Sequence, residues 1–230
     1  MITMSTNPHL KYLEATYFLD YEQPVVQSII QEFKSIKSVR ERAIGLYLKI
    51  RDGWRYNPYH FSFSKEKYRA SFIATKTEGH CIDKTILMVA CARGLGIPAR
   101  MHLAKVKNHI GVERIIEKFG SDELTPHGMV NLWIDDKWLK VSPAFNKELC
   151  HKCNVATLEF DGEKDSLFQE FDREGNLFME YLQDYGHFED VPFDFIIKNF
   201  TESYPQIMKK FKGRSDFNLL EPWPNLSASD

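Results

Sequence analysis

The stretch from Gly79 to Pro98 restricts the fold more than any other. It opens Gly79-His80-Cys81, continues through Ile82, Ile86, Leu87, Met88, Val89, Ala90, Cys91 and Ala92, and stops at Gly94-Leu95-Gly96-Ile97-Pro98. This pattern predicts a helix from near Cys81 to Arg93 that is apolar around most of its circumference. Such a helix has to be enclosed on nearly all sides. Glycine provides the left-handed residue that ends it, and proline forbids its continuation. The rest of the chain therefore has to wrap around a submerged helix with a cysteine at its tip.

The flanking sequence supplies the wrapping. Pro24 suits a first helical position, and Val26, Ile29, Ile30 and Phe33 follow at helical spacing. Ser38 with Glu41 fits a capping box ahead of a second stripe, Ala43, Tyr47, Ile50 and Trp54, that ends near Asp52-Gly53. Residues 61–77 read as loop. Arg100 to Val106 reads as a strand, and 107–126 as an insertion with a short helix over Glu113 to Phe119. His127–Ile134 and Lys137–Val141 read as a hairpin around Asp135-Asp136. Residues 1–23 read as an extended arm, 150–200 as irregular structure with short strands, Ser203–Lys212 as a last helix, and the Glu221-Pro222-Trp223-Pro224 tail as extended.

Hydrophobic residues make up 43% and aromatics 13% of 230 residues, enough for a substantial core. Thirty basic residues against thirty-two acidic give a net charge of -2, which argues against a nucleic-acid or anionic-membrane partner. No apolar run approaches the roughly 20 residues of a membrane span. The first residues lack the basic and apolar regions of a secretory signal, so a cytoplasmic location is expected. Cys150 and Cys153 have zinc-like spacing but no second pair to complete four ligands. Neither metal nor cofactor is expected.

The chemistry centres on Cys81. Unsatisfied N–H groups and the macrodipole at a helix N-terminus favour a thiolate, the nucleophilic form. His127, 46 residues later at the start of the hairpin, is the candidate base. Gly79-His80-Cys81, Gly96-Ile97-Pro98-Ala99-Arg100, His127 and Ser142-Pro143, in that order, resemble the core of the transglutaminase-like superfamily. Ile50-Arg51-Asp52-Gly53-Trp54-Arg55-Tyr56 also resembles the helix end that precedes this core. The resemblance covers about residues 40–146. It implies an α+β, papain-like fold in which the Cys-bearing helix packs on an antiparallel sheet. The expected organisation is a single domain over 1–230, with an N-terminal arm and helix (1–39), the catalytic core (40–146) and an aromatic-rich extension (147–230).

One position departs from the family pattern. The third catalytic residue is usually Asp before the proline, and here Ser142 stands there. With a two-residue hairpin loop, Val141 pairs with Val130 and Ser142 lies on the face of His127. Its hydroxyl can orient an imidazole but supplies no charge. Asn146 and Asp161 are the alternative orienters, and His80, Trp54 and His187 are candidates to line the cleft. The resemblance implies thiol-mediated acyl transfer on a peptide or isopeptide, with hydrolysis favoured over transamidation. The alternative is a catalytically degenerate module that binds a peptide or protein partner.

Overall fold

The structure, a computed structural model, describes residues 8–109 and 112–221, so the tail from Pro222 on lies outside the described residues. In chain order the elements are helices α1 (Pro24–Gln31) and α2 (Val39–Gly53), strands β1 (Arg55–Tyr56) and β2 (His60–Ser62), α3 (Ala70–Ala74), β3 (Glu78–Gly79), α4 (Cys81–Gly94), β4 (Ala99–Asn108), α5 (Glu113–Phe119), β5 (Glu123–Ile134), β6 (Lys137–Val141), α6 (Lys147–Lys152), β7 (Met179–Phe188), α7 (Phe193–Ser203), α8 (Pro205–Lys210) and β8 (Asp216–Asn218).

Every residue of α4 from Cys81 to Arg93 is buried. One side of the helix packs on β4 and β5, and α1, α2 and α3 close the others. The sheet has the order β6-β5-β4-β7 and is antiparallel throughout. Asp135 and Asp136 both take positive φ, 48° and 60°, the conformation of a tight two-residue hairpin turn. Val130 consequently faces Val141. Ser38 accepts from the Glu41 N–H at 3.2 Å and starts α2.

Two regions differ from the sequence expectation. Residues 61–77 are not loop throughout: β2 pairs with β8, and α3 packs on α4. Residues 150–200 contain a ten-residue strand, β7, and the helix α7. β7 is an edge strand, half solvated and rich in polar residues. Its pairing with β4 shifts register twice, so no clean alternation marks it in the sequence. Aromatics of α5, α7 and β8, with Tyr204 and Phe211 at the two ends of α8, form a second cluster that includes Phe119, Phe200 and Phe217. Among the described residues no helix is long and apolar enough to cross a membrane.

A buried cation fixes α4 in place. Lys84 is fully buried, and its Nζ donates to Arg51 O at 2.8 Å, Trp54 O at 2.9 Å and Ala144 O at 2.8 Å. Two of these carbonyls stand at the C-terminal end of α2, where the helix dipole favours positive charge. Burial pushes the ammonium down to about 7, and the neighbouring Asp52 opposes that. Lys84→Met should lower unfolding stability by roughly 3–5 kcal/mol, because it leaves buried carbonyls unpaired. Urea denaturation measures this, and a loss under about 1 kcal/mol would remove the assigned role.

Candidate active site

The N-terminus of α4 is built around Cys81. His80 is the N-cap. Its Nδ1 accepts from the Asp83 N–H at 3.3 Å, and Asp83 Oδ2 accepts from the His80 N–H at 3.4 Å, a reciprocal box. Nδ1 therefore carries the lone pair. Lys76 anchors the same carboxylate at 2.7 Å, and Phe61 stacks on the His80 ring at 4.9 Å. Burial pushes His80 down to about 4, only partly offset by Asp83. His80 is thus a neutral capping residue that also lines the cavity above the sulfur.

β5 passes directly over this first turn. A side chain at Gly128 would stand 2.8 Å from Thr85 Oγ1, 3.0 Å from Ile82 Cδ1 and 3.2 Å from the Cys81 carbonyl oxygen. Only glycine allows that approach, and the Gly128 N–H is thereby aimed at the sulfur. A glycine inside a strand of large residues is a signal of close backbone approach, and here it marks the position next to His127.

The environment of the sulfur works against the resting thiolate expected from the sequence. Cys81 is 9% exposed. Burial pushes its thiol up to about 11, although the Gly128 and Ile82 N–H groups and its own N–H favour the anion. Its cavity holds only about 20 Å³, enclosed by Tyr56, Phe61, Phe119, Leu124, Pro126 and Tyr204. Tyr204 clamps the start of β5, with its hydroxyl accepting from the Thr125 N–H at 2.8 Å and donating to Glu123 O at 2.9 Å. Larger cavities open on either side. One, of about 370 Å³, shares Phe61 and His80 and is edged by Lys67, Lys76 and His60. The other, of about 250 Å³, shares Tyr56 and Leu124 and is lined by Ile115, Phe145 and Phe178. Cys81 sits at the narrow point between them.

His127 is 1% exposed, and burial pushes its imidazole down to about 4. Its Nδ1 has no hydrogen-bond partner. The peptide joining His127 to Gly128 lies against Cys81, but no hydrogen bond joins the ring to the sulfur. Ser142 is buried just past the end of β6, whose pairing with β5 stops at Val141. Its backbone N–H donates to Ser166 O at 2.8 Å, and its carbonyl accepts from Tyr47 Oη at 3.2 Å. Its hydroxyl makes no bond to His127.

The other candidates are engaged elsewhere. The Asn146 side chain accepts from the Tyr56 N–H at 3.0 Å and donates to Glu148. Asp161 is exposed and folds its own loop by accepting from the Glu163 and Lys164 N–H groups. Trp54 is buried, with its indole N–H donating to Ile73 O at 3.2 Å, so it packs below the cleft rather than lining it. His187 is exposed on β7, opposite His102. Tyr56, Phe61, Phe119 and Tyr204, which do enclose the sulfur, carry no sequence motif for that role.

The model of the transglutaminase-like superfamily matches residues 27–143. The chain belongs to the transglutaminase-like superfamily. Among solved structures it is similar to a "Putative Cysteine Protease" from Cytophaga hutchinsonii, with a TM-score of 0.52 and 14% identity. That likeness covers 83% of this chain and 50% of the other, and at this identity it speaks for the fold alone. No curated protein matches the sequence. Membership agrees with the helix-on-antiparallel-sheet arrangement and with the position of Cys81 at the tip of α4.

Two outcomes test this geometry. Gly128→Ala should cost about 1–3 kcal/mol by overpacking β5 on α4, measured by thermal unfolding. His127 binds a proton near 6.5 when unfolded but not until about 4 in the fold. Between those values the unfolded chain holds more protons, so stability falls as pH drops from 6.5 to 4, by up to roughly 3 kcal/mol for this residue. His127→Gln should flatten that part of the stability–pH curve. An unchanged slope would mean that the imidazole is solvated.

Proposed function

We propose that the chain is a cysteine hydrolase that cleaves an amide, in a peptide or an isopeptide, through an acyl-thioester on Cys81. The observation that carries this reading is the convergence on one sulfur of a helix N-terminus and the Gly128 amide, at the waist of a furrow with a larger cavity on either side. The family supports acyl-transfer chemistry. Water is taken as the acceptor in line with the description "Putative Cysteine Protease" of a protein that shares the fold.

In this mechanism substrate displaces the roof over the cavity. With the sulfur no longer desolvated, the same N–H groups that now fail to ionise it become effective. Cys81 Sγ attacks the carbonyl carbon and its proton passes to His127 Nε2. The Cys81 and Gly128 N–H groups hold the oxyanion. The C–N bond breaks, His127 returns the proton to the departing amine, and water enters by the reverse sequence to release the acid. The furrow is apolar at one end and carries lysines at the other, which suits an extended peptide. All four cysteines are free, which fits a reducing compartment and supports the cytoplasmic reading.

A second reading, a degenerate module that binds a peptide without cleaving it, is favoured by the covered thiol and by Ser142. Labelling and turnover separate the two. Iodoacetamide at pH 8 should label Cys81 more slowly than the half-buried Cys153. Phe61→Ala should speed Cys81 labelling about tenfold or more, as expected if its pKa falls by one unit or more. The catalytic reading then requires hydrolysis of fluorogenic peptide amides that Cys81→Ala abolishes. Peptide binding with no Cys81-dependent cleavage, even after Phe61→Ala, establishes the second reading instead.

A further inference from the structure

The sheet face that carries His127 holds a row of buried polar atoms without hydrogen-bond partners. Cross-strand partners share a face, so His127 lies with Ala104, Met129 with His102, and Asn131 with Arg100. On that one face His127 Nδ1, His102 Nδ1, Asn131 Oδ1 and Arg100 Nε are buried without a hydrogen-bond partner. Buried polar groups are nearly always satisfied, so four neighbouring residues left open on one face mark a functional arrangement. His102 faces Met129, which makes it the diagonal neighbour of both His127 and Asn131, within reach of side chains of this length. On its other side β7 brings Asp184 to the same face, with Oδ1 2.8 Å from His102 Nε2, and the same oxygen accepts from the Gly186 N–H at 2.6 Å.

We propose that His102, held by Asp184, is the positioning residue that orients His127 in place of the carboxylate absent at Ser142. The proposal rests on the catalytic reading of Cys81 and His127. Its logic is one of tautomers. Next to a carboxylate, His102 keeps its proton on Nε2, and Nδ1 becomes an acceptor. His127 donates Nδ1–H toward it across the diagonal, directly or through one buried water. That leaves the lone pair of His127 on Nε2, where the Cys81 proton has to go. When the S–H bond breaks, that proton binds Nε2, and the Asp184 charge stabilises the imidazolium through a His102 that stays neutral.

The surroundings agree with a neutral His102. Burial and Lys140 hold its imidazole below the ordinary range, and Asp184 only partly opposes them. Lys140 Nζ stands 3.5 Å from Asp184 Oδ2, His187 lies opposite His102, Tyr181 reaches Met129, and the Arg100 guanidinium rests on Trp138 at 3.9 Å. The face therefore carries an excess of positive groups, with Asp184 as the carboxylate in contact with His102.

The test is ¹⁵N NMR of the histidine rings at pH 7 in the whole chain, with thermal unfolding as a control. Asp184 is more than half exposed, and its loss removes one acceptor for the Gly186 N–H, so Asp184→Ala should still fold, with a modestly lower Tm. Expected in the unmodified chain are Nε2–H on His102 and Nδ1–H on His127. Asp184→Ala should turn His127 into a mixture of tautomers in a chain that still unfolds cooperatively, with at least a tenfold fall in the alkylation rate of Cys81 in the Phe61→Ala background. Adding Ser142→Asp should restore a single Nδ1–H tautomer. A His127 that carries its proton on Nε2 from the start, or one unaffected by Asp184→Ala, overturns the proposal. So does a Ser142→Asp/Asp184→Ala chain that stays mixed, because Asp184 would then act through the fold. The ring signals require no turnover, so absence of peptide cleavage would count against the catalytic reading while leaving this readout intact.

Discussion

An ammonium group enclosed by three carbonyls is the contact on which the remainder of this structure depends. Lys84 lies one turn along α4 from Cys81, on the same face, and ties that helix to the end of α2 and to the loop that follows β6. A helix that is apolar all round could rotate or slide among its neighbours with little change in buried area, since burial is not directional. Hydrogen bonds to fixed carbonyls remove that freedom. The axial position of the sulfur is therefore set by a polar peg inside an apolar cylinder.

Two opposing effects meet at the sulfur, and their balance defines the resting state. The helix terminus and the Gly128 amide favour a negative charge, each by an amount typical of a charge-assisted contact. Removal of water disfavours it by more, so the thiol stays protonated. His127 is treated in the same way, neutral through burial alone. Burial thus favours the uncharged form of both groups, and the cavity over the sulfur is smaller than a side chain. Solvent or a ligand reaches the sulfur only past the aromatic walls, which limit access to it.

Much of the scaffold was legible from local pattern. The Gly-x-Cys opening, the glycine-proline stop, the Ser38 cap and the Asp135-Asp136 turn each encode a backbone conformation in a few consecutive residues, and all are found in the structure. What remained hidden depends on contacts between distant segments. The cap on α4 is a histidine, an uncommon residue for that role, so the role of His80 was not visible. The roof draws Tyr56, Phe61, Phe119 and Tyr204 from four separate elements, and an aromatic residue alone does not announce whether it packs or covers. The pairing of Asp184 with His102 follows from the register of β7, whose bulges erase the alternation that would have revealed it. The glycine after His127 was an unread clue, since its lack of a side chain is what brings β5 onto the first turn of α4 at Cys81.

The clasp between β2 and β8 ties the cover of the sulfur to a distant segment. Phe61 belongs to β2, and its pairing partner Phe217 lies on β8. Phe61 also walls the sulfur cavity. Fraying of this short two-stranded sheet loosens that wall while the helices around α4 keep their own contacts. Access to the thiol is in this way coupled to the local stability of an outlying pair of strands.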